Sequence, residues 1–231
     1  MMTDVDAQKR AAGEAAAALV RSGMVVGLGT GSCAAWFVRA LAARKLDIVG
    51  VPTSEATAEL ASSLGIRLGE LGETKTIDLT IDGADEIGPG LALIKGAGGA
   101  LLREKLVWEA SRSCVVIAEA AKPVKILGGR YPLPIEVAAF GHKTTHARIC
   151  DALAECEIGI VPILRRKDGQ PVRTDNGNLI YDAACGRIEE PAALAAALKS
   201  VTGVVDHGLF LDLADRALIG TSDGGVMELE P

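Results

Sequence analysis

The sequence predicts an α/β protein: a mostly parallel sheet with helices on both faces, plus a smaller α+β block. Three observations predict it. Short apolar runs alternate with helical stretches through the first half of the chain. Glycine-rich loops stand where a strand candidate gives way to a helix candidate. Near Gly128-Gly129 the pattern changes to shorter segments separated by turn residues.

The elements follow in order. Residues 4–22 are Ala-rich with a helical pattern and run up to Gly23, a C-cap signal. Residues 24–26 form a buried strand candidate, followed by Gly27-Leu28-Gly29-Thr30-Gly31-Ser32 and a helix over 34–44. Residues 47–51 read as a second strand, and Ser54 caps a helix reaching Ser63. Residues 77–82 alternate apolar and polar, a strand closed by Gly83-Ala84-Asp85. Lys95-Gly96-Ala97-Gly98-Gly99 is a second glycine loop, feeding a helix from about 100 to 111, and residues 114–118 are another buried strand.

Beyond Gly129, residues 131–137 read as an extended segment. A helix (about 144–155), strands around 158–164 and 179–182, and a helix over 192–199 come next. Lys167-Asp168-Gly169 and Asp175-Asn176-Gly177-Asn178 suit hairpin turns. Residues 217–219 offer a last strand that rejoins the first sheet. The expected division is 1–128 plus 206–231 for the larger domain and 129–205 for the smaller.

Composition narrows the function. The 231 residues carry a net charge of −6 and only 3% aromatics, which gives neither a basic footprint nor a stacking platform for nucleic acid. No apolar run approaches the ~18 residues of a membrane span. Residues 1–20 hold Asp4, Asp6 and Glu14 and no apolar h-region, so no signal peptide is expected. The five cysteines (33, 114, 150, 156 and 185) are scattered without a CxxC pair, as expected of reduced thiols in a cytoplasmic protein.

The first glycine loop has Gly27, Gly29 and Gly31 but Ser32 where a dinucleotide fingerprint wants glycine. Asp47 lies about 20 residues on, yet it opens a strand rather than closing one. A Walker A lysine is absent. Two readings stay level: an anion cradle of backbone N–H groups with the Thr30 and Ser32 hydroxyls, or a tight turn with no ligand.

The second constellation is sharper. Asp82 and Asp85 flank Gly83 and Ala84 at the C-terminal end of a strand, the edge where open α/β sheets bind ligands. Lys95 stands at the mouth of the second glycine loop, and Glu104 on the helix that follows. Together they form a set for moving protons. The helical neighbours of Glu104 (Ala100, Leu101, Val107, Trp108) are apolar, but those of Arg103 are mostly apolar too, so periodicity barely separates the pair. His142 and His146 have a zinc-compatible spacing, but Lys143 stands where a metalloprotease needs Glu, and polar helix surface is the plainer reading. No Gly-x-Ser-x-Gly elbow is present.

These stretches resemble ribose-5-phosphate isomerase of the A type. The likeness is carried by Gly27-Leu28-Gly29-Thr30-Gly31-Ser32, Asp82-Gly83-Ala84-Asp85-Glu86, Lys95-Gly96-Ala97-Gly98-Gly99-Ala100 and Arg103-Glu104-Lys105. It continues through Ala118-Glu119-Ala120-Ala121-Lys122, Pro132-Leu133-Pro134-Ile135-Glu136-Val137, Thr174-Asp175-Asn176-Gly177-Asn178, Gly208-Leu209-Phe210 and Leu218-Ile219-Gly220-Thr221. The resemblance implies a Rossmann-like domain with an inserted α+β domain. It implies interconversion of D-ribose 5-phosphate and D-ribulose 5-phosphate, no metal or organic cofactor, and a homodimer. Thr30, Gly31, Ser32, Cys33, Asp82, Gly83, Ala84, Asp85, Lys95, Gly96, Ala97, Gly98 and Lys122 fall at substrate-binding positions, and Glu104 at the catalytic base. Asp82, Asp85 and Lys95 are expected to assist it. Which cation meets the phosphate stays open, with Lys9 and Arg10 among the candidates. Cys33 replaces the usual Thr, and Ala97 the middle Gly of the second loop, where a positive φ would strain it. The rival classes are a sugar-phosphate sensor without turnover and an acyl transferase using a Glu nucleophile.

Overall fold

Thr3 caps the first helix, its hydroxyl accepting the Asp6 N–H at 3.2 Å. The structure, a computed structural model, describes residues 3–73 and 76–231. Its helices are α1 (Asp4–Leu19), α2 (Ser32–Ala43), α3 (Glu55–Ser63), α4 (Leu101–Glu109), α5 (His142–Glu155) and α6 (Pro191–Ser200). Its strands begin with β1 (Val25–Leu28), β2 (Val49–Pro52), β3 (Leu79–Gly83), β4 (Glu86–Ile87) and β5 (Leu93–Ile94). Next come β6 (Cys114–Glu119), β7 (Leu133–Val137), β8 (Ile163–Leu164), β9 (Arg166–Lys167) and β10 (Gln170–Pro171). The last are β11 (Leu179–Ala183), β12 (Val204–His207), β13 (Leu209–Phe210), β14 (Arg216–Gly220) and β15 (Val226–Leu229).

The chain divides into two units. The first comprises the chain up to Ala84, Arg103–Pro123 and Asp212–Pro231. Its sheet runs β15-β14-β6-β3-β1-β2, and every pair is parallel except β14 with β15. A buried core of Leu28, Phe37, Val38, Leu41, Ile81 and Ile117 fills the space beneath α1 and α2. These helices approach so closely that a Cβ on Gly13 would lie 2.7 Å from the Phe37 nitrogen. Burying such side chains is worth roughly 1.5–3 kcal/mol each. β1 has β2 on one side and β3 on the other, so the strand order reverses there. The C-terminal ends of β1 and β3 therefore open the crevice where such sheets take ligands.

The second unit comprises Asp85–Leu102 and Val124–Leu211. An antiparallel sheet, β12-β7-β11-β8, shares an apolar core with residues of α5 and α6, among them Ile135, Ile149, Leu153, Tyr181, Leu194 and Leu198. A second small sheet, β13-β5-β4, ties residues 86–94 to residues 209–210. That long-range pairing places residues 85–102 in the second unit, whereas the sequence division put them with the larger domain.

Most expected elements form within a few residues of their expected ends. The helix expected to reach Gly23 stops at Leu19, and Gly23 instead donates its N–H to Asp47 O at 2.7 Å. Of residues 158–164 only Ile163–Leu164 pair as a strand. The 167–169 turn joins β9 to β10, with Asp168 and Gly169 at φ 51° and 79°.

Candidate active site

In the first unit the chain leaves β1 and meets β3 at once. A Cβ on Gly29 would lie 2.2 Å from Asp82 Oδ1, so no side chain fits there. Asp82 is fully buried, its Oδ1 accepting the N–H groups of Thr30 at 3.0 Å and Gly83 at 2.7 Å. Gly31 has φ 104°, a left-handed value natural to glycine, and precedes the first turn of α2. The Ser32 and Cys33 N–H groups thus belong to a helix N-terminus, which favours an anion.

Trp108 on α4 donates its Nε1 to Asp82 Oδ2 at 3.3 Å. Glu104 lies one turn earlier on the same face of α4 and is only 4% exposed. Arg103 turns elsewhere and pairs with Glu55 at 3.6 Å. The packing of α4 thus separates two residues that periodicity left alike.

Cys33 is buried with its Sγ 3.6 Å from Glu119 Oε2. Burial, then the charge of Glu119, push its thiol up to about 12, while Lys9 and Lys122 pull it down. Lys122 Nζ is also 3.8 Å from Glu119 Oε1. Arg10 is committed to Glu14 at 2.7 Å on the surface of α1. The Thr30 hydroxyl lies 2.7 Å from Thr53 Oγ1 and 2.8 Å from Ser54 Oγ, and Thr57 Oγ1 donates to Gly29 O at 3.0 Å. Ser54, expected as a helix cap, fills that role for the Thr57 N–H as well. Threonines after a strand carry no local signal for such a cluster.

In the second unit Asp85 receives the Ala97 N–H on Oδ2 at 2.9 Å. Lys95 is 2% exposed, its Nζ 5.4 Å from the Phe210 ring centroid, a cation–π distance. A Cβ on Gly208 would lie 2.2 Å from Lys95 O, which accounts for glycine before Leu209-Phe210. Gly96 has φ 105°, but Ala97 lies outside the left-handed region, so the strain expected of alanine there does not arise. Ala97 and Gly98 are exposed.

The histidine pair has other partners. His142 Nδ1 meets Tyr181 Oη at 2.8 Å, and His146 Nε2 meets Pro162 O at 2.8 Å. Among the described residues no group of three or more His, Cys, Asp or Glu side chains is placed to hold a metal ion. No helix among them is long and apolar enough to cross a membrane.

A buried carboxylate on a helix whose Trp108 reaches Asp82, together with an anion-favouring helix start, suits an α/β enzyme that moves protons on a small anionic substrate. Comparison with known proteins names the family. Residues 49–224 match ribose 5-phosphate isomerase A (phosphoriboisomerase A). A ribose-5-phosphate isomerase A of Caulobacter sp. (strain K31) is 70% identical over 98% of this chain and 99% of its own. One from Chloroflexus aurantiacus is 50% identical over 96% of this chain and 93% of its own. The solved ribose 5-phosphate isomerase of Plasmodium falciparum superposes with a TM-score of 0.92 at 37% identity, covering 98% of this chain and 99% of its own. The chain belongs to the ribose 5-phosphate isomerase A family and is an isomerase of the Rossmann-like α/β type.

Proposed function

We propose that the chain interconverts D-ribose 5-phosphate and D-ribulose 5-phosphate through an enediolate, in the non-oxidative pentose phosphate pathway, with Glu104 carrying the proton. The observation that supports this most is the burial of Glu104 on the α4 face that reaches Asp82 through Trp108.

Asp82 and Asp85 serve the hydroxyl protons of ring opening, and Asp82 also braces the first loop. In the open aldose Glu104 takes the proton from C2. The C2–H electron pair forms the C1–C2 double bond, and the carbonyl pair moves onto the C1 oxygen. Lys95 stabilises that oxyanion. The C2 hydroxyl proton passes to the C1 oxyanion, the O2 electron pair forms the C2 carbonyl, and the C1–C2 double-bond pair takes back at C1 the proton that Glu104 carries. The net change is a proton and hydroxyl rearrangement that consumes no oxidant or reductant, so the reading includes no cofactor. Gly83, Ala84, Gly96, Ala97 and Gly98 contribute backbone, and Thr30, Gly31, Ser32 and Cys33 form the start of α2 that receives the phosphate. Lys122 and Lys9 are the cations for it, because the charges of both are felt by Cys33 in the first turn of α2.

The reading also includes a cytoplasmic homodimer. Phe140 is 97% exposed, and Val161 and Ile163 are also open, next to Pro162, which binds α5 through His146. Such apolar residues near one helix favour a second copy as cover. A monomer by light scattering at micromolar concentration would oppose it.

Proton NMR of the chain with ribose 5-phosphate in D₂O tests the chemistry. Ketose product, with deuterium entering at carbon in full activity despite a chelator, supports the reading. Saturable binding without product would leave a sensor.

A further inference from the structure

Arg165 lies between β8 and β9, and its side chain serves two sets of acceptors. Its Nε donates to Asp182 Oδ2 at 2.8 Å and its Nη2 to Asp182 Oδ1, a two-point fork from β11. Its Nη1 donates to Gly96 O at 2.9 Å and to Ala97 O at 3.0 Å. The two charged side chains are only 15% and 22% exposed. The guanidinium therefore spends its charge on Asp182 and its remaining edge on the second glycine loop.

Peptide geometry gives this contact a consequence. In a trans peptide the N–H points opposite to the C=O. Two successive carbonyls, of Gly96 and Ala97, turn toward one cation. The N–H groups of Ala97 and Gly98 must then leave on the opposite side. The first is found there, donating to Asp85 Oδ2 at 2.9 Å. The second belongs to an exposed glycine. Gly96 supplies the positive φ that starts this turn. Within the loop the Gly99 N–H donates to Gly96 O at 3.0 Å and closes the turn, so Arg165 Nη1 shares that carbonyl and adds the one of Ala97.

We propose that Arg165, held by Asp182, is a positioning residue for the isomerase: it locks the peptides after Lys95 so that their N–H groups face Asp85 and the substrate oxygens. The proposal rests on the function proposed above. It makes Arg165 essential without contact to substrate. A lysine cannot replace it, because one ammonium cannot fork to a carboxylate and bridge two carbonyls together.

The test compares Arg165→Lys, Arg165→Met and Asp182→Asn with the unaltered chain, each as full-length protein. If the unaltered chain fails to isomerise ribose 5-phosphate, the functional reading falls, whatever the variants do. If it turns over, Arg165→Lys and Asp182→Asn should each lower kcat/KM about 10–100-fold, with both a higher KM and a lower kcat, as a misplaced binding loop does. Melting temperature should stay near that of the unaltered chain. Amide hydrogen exchange should quicken in the peptide spanning 95–98 and stay unchanged in β1 and β3. The double variant should be no worse than the poorer single, because the pair acts as one unit. Arg165→Met removes the clamp altogether; should it fail to fold, the two milder variants decide. Unaltered kcat and KM in both would overturn the proposal. So would a loss of activity that only follows the fraction folded, with KM and exchange at 95–98 unchanged.

Discussion

The two glycine loops solve one problem by different means. The loop after β1 is braced from inside its unit by a carboxylate, Asp82, that gathers the Thr30 and Gly83 N–H groups. Its next N–H groups are aimed by the helix they begin. The loop after β5 is braced through its carbonyls by a cation, Arg165. An acceptor organises donors in the first, and a donor organises acceptors in the second. Tolerance to side chains differs position by position. At Gly29 a Cβ would strike Asp82, whereas the second loop already carries Ala97 in an ordinary backbone region. The glycines look alike in the sequence, but only some are there for space.

Changing the chemistry rather than the loops should have the largest effect. Glu104→Gln keeps the shape and cannot take the proton, so kcat should fall ~10²–10⁴-fold with little change in KM. Steady-state assay of ketose formation checks this, and near-normal turnover would remove Glu104 from the role.

Next in size is the contrast between the loops. Gly29→Ala should cost about 1–3 kcal/mol of stability by overpacking and impair activity with it. Denaturant titration beside an assay decides, and a neutral result would mean that Asp82 yields easily.

Cys33 probes the start of α2 by pH. Its thiol is pushed from 9.0 to about 12 in the folded protein, so it keeps its proton while the unfolded chain releases one. Stability should then fall as pH rises from about 9 toward 12, with a shallower fall in Cys33→Thr. Melting temperatures across that range measure it. Iodoacetamide at pH 8 should leave Cys33 unmodified in the native protein, by peptide mass. Rapid labelling there would mean an open loop.

The smallest effect is expected at Ala97→Gly. Alanine there restricts the unfolded chain at no native cost, so glycine should lose about 0.4–1 kcal/mol while kcat stays the same. A gain in stability would show that the Cβ is strained after all.

Local sequence carried much of the architecture. Parallel strands buried on both faces need continuous apolar runs, and residues 114–118 show this with no polar interruption. The Ser54 cap and the Asp168-Gly169 turn were equally legible, because each depends on a few adjacent residues. β15 went unread: Val226–Leu229 has an exposed, mixed pattern and becomes a strand only by pairing with β14. Residues 158–162 have strand-like composition but no partner strand among the described residues, so composition misled there.

The candidate site divides in the same way. The sequence by itself set the fold class, the two glycine loops and the acidic and basic side chains around them, since those follow from residue type and short spacing. Only the tertiary structure chose Glu104 over Arg103 for burial and set Arg165 against the carbonyls of a loop nearly 70 residues earlier in the chain. Those choices depend on which surfaces meet once the sheets are assembled. A charged group's surroundings are made by distant chain, and no window of local sequence contains them.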